Sequence, residues 1–189
     1  YAIDFVKLDE NGRLYTGDQS VLANWHYYGA DIYSAAEGKV VGVLDGLPDQ
    51  PPGQLPPDAT IVTAGGNHVV VDIGGGRYAF YAHMIPGSIT VKEGDFVKRG
   101  QHIGNLGNSG NTDGPHLHFH VMDSPAPLNS NGLPYVFDSW AYQGKVTGSS
   151  LGEINDNLLA GNPAEVDITG NGSMRKDELP FTNDLIGFE

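Results

Sequence analysis

The sequence predicts an all-β fold made of antiparallel sheets. Glycine (27 residues) and proline (12 residues) together form about a fifth of the 189-residue chain, above the average of roughly 12%. They are spread between short apolar runs, a pattern typical of strands joined by turns. No amphipathic helix longer than two turns is evident, and aromatic residues are frequent enough for a packed core.

The strands are predicted wherever apolar residues alternate or cluster between turn residues. In chain order they cover 1–8, 32–44 with a turn at 37–38, 68–73, 77–83, 89–91, 101–106, 115–122 and 135–142. Segment 14–28 is aromatic-rich and irregular. Segment 45–59 is rich in proline and therefore predicts a long rigid loop, which forms either a wall of a substrate groove or a plain surface connection.

The composition changes to glycine, serine, asparagine and aspartate near residue 146. We therefore expect a domain over 1–146 and a C-terminal extension over 147–189 that wraps the domain or is partly mobile. The chain opens inside a predicted strand without a methionine, so we expect a mature or trimmed fragment of a longer precursor. No apolar run approaches the roughly 20 residues that cross a bilayer.

Charge and cysteine content restrict the function further. The formal net charge is -13, which disfavours binding to nucleic acid or to anionic membranes. The chain has no cysteine, so any metal site must use histidine, aspartate or glutamate.

Three histidines alternate along one predicted strand. His116, His118 and His120 would project to one face of it, while the residues between them project to the other. Imidazoles placed side by side are unfavourable without a metal or an acid, because protonation brings like charges together. A catalytic zinc needs three protein ligands and one open position. The strand therefore predicts part of a zinc site, and the alternative is an exposed polar strand face.

Several ordered motifs surround this strand. The YAHM segment at 81–84, the segment 91–101, GNSG at 107–110 and PHLHF at 115–119 follow one another. Together with segments 29–41 and 67–72, they resemble the lysostaphin and LytM zinc endopeptidases over about residues 1–145. The resemblance implies antiparallel sheets of the LytM-like barrel-sandwich hybrid type, with a duplicated hybrid motif.

The resemblance also implies an activity and residue roles. A zinc ion (Zn²⁺) would be bound by His118, while His116 and His83 would act on the substrate. The reaction would be hydrolysis of peptide bonds in peptidoglycan, or in another glycine- or alanine-rich peptide, outside the cytoplasm. Neutral His116 or His83 would take a proton from water, or stabilise an oxyanion when protonated.

The other zinc ligands have two alternative placements. That family has the pattern His-x-Gly-x-Asp, and His26 with Asp31 has five-residue rather than four-residue spacing. The placement we favour puts Asp4 in the aspartate position and makes 6–28 an insertion. The first ligand would then fall one residue before Tyr1, unless His26 folds in from the insertion.

Two further side chains are assigned supporting contacts. His120 would hydrogen-bond to a ligand or to the bound water, and Tyr81 would hydrogen-bond to a developing oxyanion or pack in the core.

The alternative function is a catalytically inactive LytM-like domain that binds peptidoglycan or a partner. A third candidate function is a biotinyl- or lipoyl-carrier-like module. It is disfavoured because such a carrier needs a modifiable lysine at a hairpin tip, and no lysine here lies in a matching context. The segment 167–178 resembles a calcium loop without evident flanking helices, and we interpret it as a polar turn.

Overall fold

The computed structural model describes residues 1–127 and 129–188. The predicted all-β architecture is confirmed, because antiparallel strands dominate this part of the chain and one short α-helix accompanies them. None of its helices has the length and apolar character needed to span a bilayer. The strands are β1 Ile3–Phe5, β2 Asp31–Tyr33, β3 Gly38–Leu44, β4 Asn67–Asp72, β5 Tyr78–Met84, β6 Phe96–Val97, β7 His102–Asn105, β8 Leu117–Met122, β9 Gly132–Leu133, β10 Phe137–Val146, β11 Val166–Asp167, β12 Ser173–Glu178 and β13 Asp184–Gly187. A 3₁₀ helix spans Leu22–Asn24 and helix α1 spans Leu151–Leu159.

The chain packs as two compact units. The first contains Tyr1–Lys7 and Gly17–Pro134, and the second contains Leu8–Thr16 and Tyr135–Glu189. The sequence predicts a peptidase domain over 1–146 and a C-terminal extension over 147–189, and these functional boundaries stay a prediction. The boundary between the two packing units lies before β10. The N-terminal segment Leu8–Thr16 belongs to the second unit.

The first unit is organised around a seven-stranded antiparallel sheet. Its strand order is β1-β8-β5-β4-β3-β6, with β9 pairing with β8. Strands β4 and β5 form a hairpin across Gly74, Gly75 and Gly76, all of which have positive φ. Such turns favour glycine because it has no Cβ. Strands β2 and β7 form a separate two-stranded sheet.

The core of the first unit lies along both faces of the central strands. Val69, Val70 and Val71 in β4 are all fully buried, so this strand is covered on both sides. Val70 packs with Phe80, Ala82 and Met122 on one face. This core fixes the register of β5 against β8, and a slip by one residue would move every side chain to the opposite face.

The second unit is a small sheet with one helix. Strand β10 pairs with β11, β12 and β13, and Trp140 in its middle is buried. Helix α1 buries Ile154 and Leu158, and the Tyr15 hydroxyl donates to the Leu159 carbonyl at 2.8 Å. These contacts explain why segment 8–16 packs in this unit.

Several elements differ from the sequence prediction. Segment 89–91 is not a strand, and the short strand β6 lies at 96–97 instead. The tail expected to wrap the domain or to be mobile contains α1, β11, β12 and β13. Helix α1 was missed because glycine, asparagine and aspartate within it have low helix propensity. Its capping signature was present, since the Ser150 hydroxyl accepts from the Glu153 N–H at 3.2 Å.

Candidate active site

Strand β8 presents its histidines to one side, as alternation along a strand requires. His118 and His120 lie on the same face, with 2.9 Å between His118 Nε2 and His120 Nδ1. Phe119 and Val121 point to the opposite face and are buried. His116 precedes the strand, and its Nε2 lies 3.7 Å from the same Asp4 oxygen that contacts His118.

Asp4 reaches this face because β1 pairs with β8. The register places Asp4 directly opposite His118, and Asp4 Oδ1 lies 2.8 Å from His118 Nδ1. The hydrogen bond from His118 lowers the pKa of the Asp4 carboxyl, and partial burial opposes this effect. The nearby histidines lower that pKa further. Asp4 is therefore a carboxylate at neutral pH, beside an imidazole nitrogen.

His83 comes from the end of β5 in an unusual backbone conformation. Its φ is 64°, a left-handed value that few residues other than glycine adopt. Ala82 pairs with His118 across the strands, so alternation alone would turn His83 away from the histidines. The left-handed residue reverses this direction, and the ring centroids of His83 and His116 lie 4.5 Å apart. Backbone strain of this kind is concentrated at functional sites.

The hydrogen bonds of His83 define its protonation. Its Nδ1 lies 2.7 Å from the carbonyl oxygen of Ser109, which can only accept, so Nδ1 carries the hydrogen. Burial lowers the pKa of His83 to about 3, and the neighbouring His116 lowers it too. The ring is therefore neutral at pH 7, and its Nε2 holds a free lone pair.

His116 is held in the same way. Its Nδ1 lies 2.9 Å from the carbonyl oxygen of Gly114, so Nδ1 donates, and in the neutral ring the lone pair is on Nε2. His83, His116 and His118 each offer one ring nitrogen, and these three atoms lie within 4.8 Å of one another. Metal-ligand atoms converge over such distances, so the chemistry of the donors fits a zinc ion.

His120 lies behind His118 as seen from Asp4. Its ring packs at 5.1 Å from that of Phe80, and burial lowers the pKa of His120 to about 4. His118 is thus contacted through Nδ1 by Asp4 and through Nε2 by His120. The His120 contact fixes the orientation of the His118 ring from behind, a role often filled by the outer partners of metal-binding histidines.

The other residues suggested by the sequence lie elsewhere. His26 is exposed in the turn after the 3₁₀ helix, and the structure does not bring it into the group of three histidines. Asp31, the alternative to Asp4, hydrogen-bonds to Tyr33 and Asn105 in the small sheet. Tyr81 faces Phe119 on the opposite side of the large sheet, and its hydroxyl accepts from the Ala35 N–H at 2.8 Å. The structure therefore favours the core-packing alternative for Tyr81.

Sequence reasoning missed the backbone groups that hold the catalytic candidates. The carbonyls of Ser109 and Gly114 bind the Nδ1 atoms of His83 and His116. A carbonyl leaves no side-chain pattern in a sequence. The indication available was the GNSG motif at 107–110, in which the Ser109 hydroxyl donates to the Met84 carbonyl at the end of β5.

Gly66 allows the close approach behind His83, which leads to a stability prediction. Its φ is +59°, and an added Cβ would lie 2.1 Å from the Ser109 carbonyl oxygen that holds His83. Gly66→Ala should therefore cost about 3 kcal/mol, from the left-handed backbone and the overpacking together. Gly87 has a φ of +75° and open space around it, so Gly87→Ala should cost only about 1 kcal/mol. Urea unfolding measures both, and equal losses would contradict a steric role for Gly66.

The fold and the histidine-carboxylate cluster were compared with those of known proteins. The model of Peptidase family M23 matches residues 25–130, more than half of the chain. The chain therefore belongs to peptidase family M23, and the resemblance to lysostaphin and LytM enzymes is confirmed.

Named relatives share parts of the chain. Peptidoglycan DD-endopeptidase ShyA of Vibrio cholerae is 42% identical over 65 residues, which are 34% of this chain and 15% of ShyA. Glycyl-glycine endopeptidase ALE-1 of Staphylococcus capitis is 31% identical over 127 residues, which are 66% of this chain and 33% of ALE-1. The chain spans a third or less of these two relatives. The catalytic domain of lysostaphin from Staphylococcus simulans has 25% identity and a TM-score of 0.42, over 67% of this chain and 88% of that one.

Proposed function

We propose that the protein is a zinc-dependent endopeptidase that hydrolyses peptide bonds of bacterial peptidoglycan. The main observation is the contact of Asp4 with His118, next to two further histidines whose Nδ1 atoms are held by backbone carbonyls. Membership of a peptidase family supports hydrolysis. The names of the relatives, a peptidoglycan DD-endopeptidase and a glycyl-glycine endopeptidase, support cell-wall peptides as the substrate class. Such a substrate places the activity outside the cytoplasm.

In this proposal, Asp4 Oδ1 and His118 Nδ1 would supply two of the zinc ligands. They are 2.8 Å apart, and both face the side on which His83 and His116 lie. When bound, zinc supplies Lewis acidity that polarises a peptide carbonyl and acidifies water. His120 would keep the His118 ring in place through its other nitrogen.

His116 and His83 would move the protons. The Gly114 carbonyl holds the hydrogen of His116 on Nδ1, so Nε2 can take a proton from the attacking water and pass it to the leaving amine. The Ser109 carbonyl and burial keep His83 neutral with a free Nε2. This arrangement favours His83 as an acceptor that orients the water. It disfavours the protonated oxyanion donor that the sequence left open.

Metal removal and replacement test the proposal. We expect the purified chain to release soluble peptides from peptidoglycan sacculi, to lose this activity after treatment with a chelator, and to regain it when zinc is added back. Sacculi with direct cross-links and sacculi with glycine cross-links should be compared, and mass spectrometry of the products identifies the cleaved bond. The matched control is the Asp4→Ala variant under the same conditions.

Binding without cleavage is the outcome that separates the two functions considered for this fold. A zinc-loaded chain that sediments with sacculi but releases nothing would contradict the endopeptidase proposal. It would favour the inactive peptidoglycan-binding domain instead. Release that persists without metal would contradict the zinc mechanism.

A further inference from the structure

A buried threonine lies between the polar loop and the candidate base. Thr112 is 2% exposed, in the loop that precedes β8. Its hydroxyl oxygen lies 2.8 Å from the Gly114 carbonyl oxygen, 3.0 Å from Asn108 Oδ1 and 3.3 Å from His116 Nδ1. It also accepts from the Gly114 N–H at 3.3 Å.

The chemistry of a hydroxyl restricts what these contacts can be. Thr112 has a single hydrogen to donate, and Asn108 Oδ1 and the Gly114 carbonyl oxygen are the two acceptors within its reach. In either arrangement, Oγ1 keeps lone pairs that can accept from the His116 Nδ1–H, 3.3 Å away. The Nδ1 atom of His116 therefore faces acceptors, namely the Gly114 carbonyl at 2.9 Å and the Thr112 oxygen at 3.3 Å.

Asn108 holds this hydroxyl in place. Its side chain is fully buried, and its Nδ2 donates to the Gln50 carbonyl oxygen at 2.8 Å, which turns Oδ1 toward Thr112. Its backbone N–H donates to Asp49 Oδ1 at 2.7 Å. The proline-rich loop at 45–59 is thereby attached to the loop that carries Thr112, and the two form one hydrogen-bonded support.

We infer that Thr112 is a positioning residue for His116: its hydroxyl, held by Asn108, orients the imidazole so that Nε2 faces Asp4, while the Gly114 carbonyl keeps the hydrogen on Nδ1. This inference rests on the proposed endopeptidase function, in which Nε2 of His116 takes a proton from water. Thr112 itself has no contact with substrate or metal in this role. Outer partners of metal-binding histidines contribute about 10–100-fold to activity, and we expect a contribution of the same size from a partner of His116.

Isosteric and conservative substitutions of the full chain test the inference. Thr112→Val removes the hydroxyl and should lower kcat on cross-linked muropeptides about 10–100-fold, with KM and zinc content unchanged. Thr112→Ser keeps the hydroxyl and should stay within about 3-fold of wild type, since only a methyl group is lost. The control is Thr90→Val, which removes a hydroxyl bonded to the His102 carbonyl away from the site and should change neither kinetic constant.

The results separate positioning from stability. If Thr112→Val does not fold, Thr112→Ala replaces it, and thermal unfolding shows whether each variant is native. A folded variant without the hydroxyl that retains wild-type kcat would overturn the inference. A folded Thr112→Ser variant with a kcat as low as that of Thr112→Val would also overturn it, because the missing hydroxyl would then not explain the loss of activity.

A spectroscopic measurement decides the same point without turnover. In protein labelled with ¹⁵N-histidine, His116 should show a protonated Nδ1 and an unprotonated Nε2 in wild type. In Thr112→Val, the Gly114 carbonyl still accepts from Nδ1, but the ring loses its second contact and the two shifts of His116 should move. Unchanged His116 shifts in that variant would contradict the inference. If wild type cleaves no peptidoglycan substrate, the proposed function fails while this measurement still gives an answer.

Discussion

Asp4→Ala is expected to weaken zinc binding by more than about 100-fold and to abolish peptidase activity, because outer partners of metal ligands alone contribute about 10–100-fold. Asp4 Oδ1 contacts His118 Nδ1 at 2.8 Å and lies 3.7 Å from His116 Nε2, so its removal takes away the carboxylate of the cluster. Zinc affinity is measured by competition with a chromophoric chelator, and bound zinc by elemental analysis after dialysis.

Asp31→Ala is the matched control for this prediction. Asp31 is the aspartate of the alternative ligand placement, and its carboxylate accepts from the Tyr33 hydroxyl and the Asn105 amide in the small sheet. Its loss should leave zinc binding unchanged. If Asp31→Ala loses zinc and Asp4→Ala keeps it, the placement of the ligands proposed here is wrong. If both variants keep it, the three histidines hold the metal without a carboxylate.

Asp4→Ala should also leave the fold intact, which makes the zinc measurement interpretable. The side chain of Asp4 is 61% exposed, and exposed ion pairs of this kind contribute about 0–1 kcal/mol to stability. The unfolding free energy of the metal-free variant should therefore match that of metal-free wild type. Any difference that appears only with zinc present would reflect lost binding to the native state.

Much of the first unit could be predicted because its strands are either alternating or continuously apolar. The predicted strand at 68–73 corresponds to β4 at 67–72, and that at 115–122 contains β8. Their boundaries follow from glycine-rich turns, which are local. The second unit could not be predicted in the same way. Trp140, Ile154 and Leu158 are buried in it, but its strands β11, β12 and β13 are short or largely polar in sequence, and its helix has a weak propensity.

In the candidate site too, the residues placed by a local rule could be predicted, and the residues placed by distant contacts or unusual backbone angles could not. His116, His118 and His120 could be placed on one face because strand alternation is a local rule. His83 could be named from the YAHM motif, but its direction depends on a left-handed φ of 64° that alternation does not predict. Tyr81 was assigned either a site contact or core packing, and its face is set by pairing with Phe119 in a strand far along the chain.

His116→Ala is expected to leave zinc bound while lowering kcat by about 10²–10⁴-fold, the usual contribution of a general acid-base group. The reason is geometric. The Gly114 carbonyl accepts from Nδ1 of His116, so only Nε2 points toward the cluster. Nε2 lies 3.7 Å from Asp4 Oδ1, and His116 takes no part in the 2.8 Å contact between Asp4 and His118. Zinc content and kcat on the same preparation check this prediction.

A control variant and the zinc content of His116→Ala together show whether His116 is a zinc ligand. His102→Ala removes an imidazole packed 5.9 Å from the Tyr33 ring in the small sheet and should change neither zinc content nor turnover. Loss of zinc in His116→Ala would show that His116 is a ligand, as the 4.8 Å convergence of His83, His116 and His118 permits. Retained zinc with lost turnover would assign the proton transfer to Nε2 of His116, because metal binding and proton transfer would then belong to different side chains of one cluster.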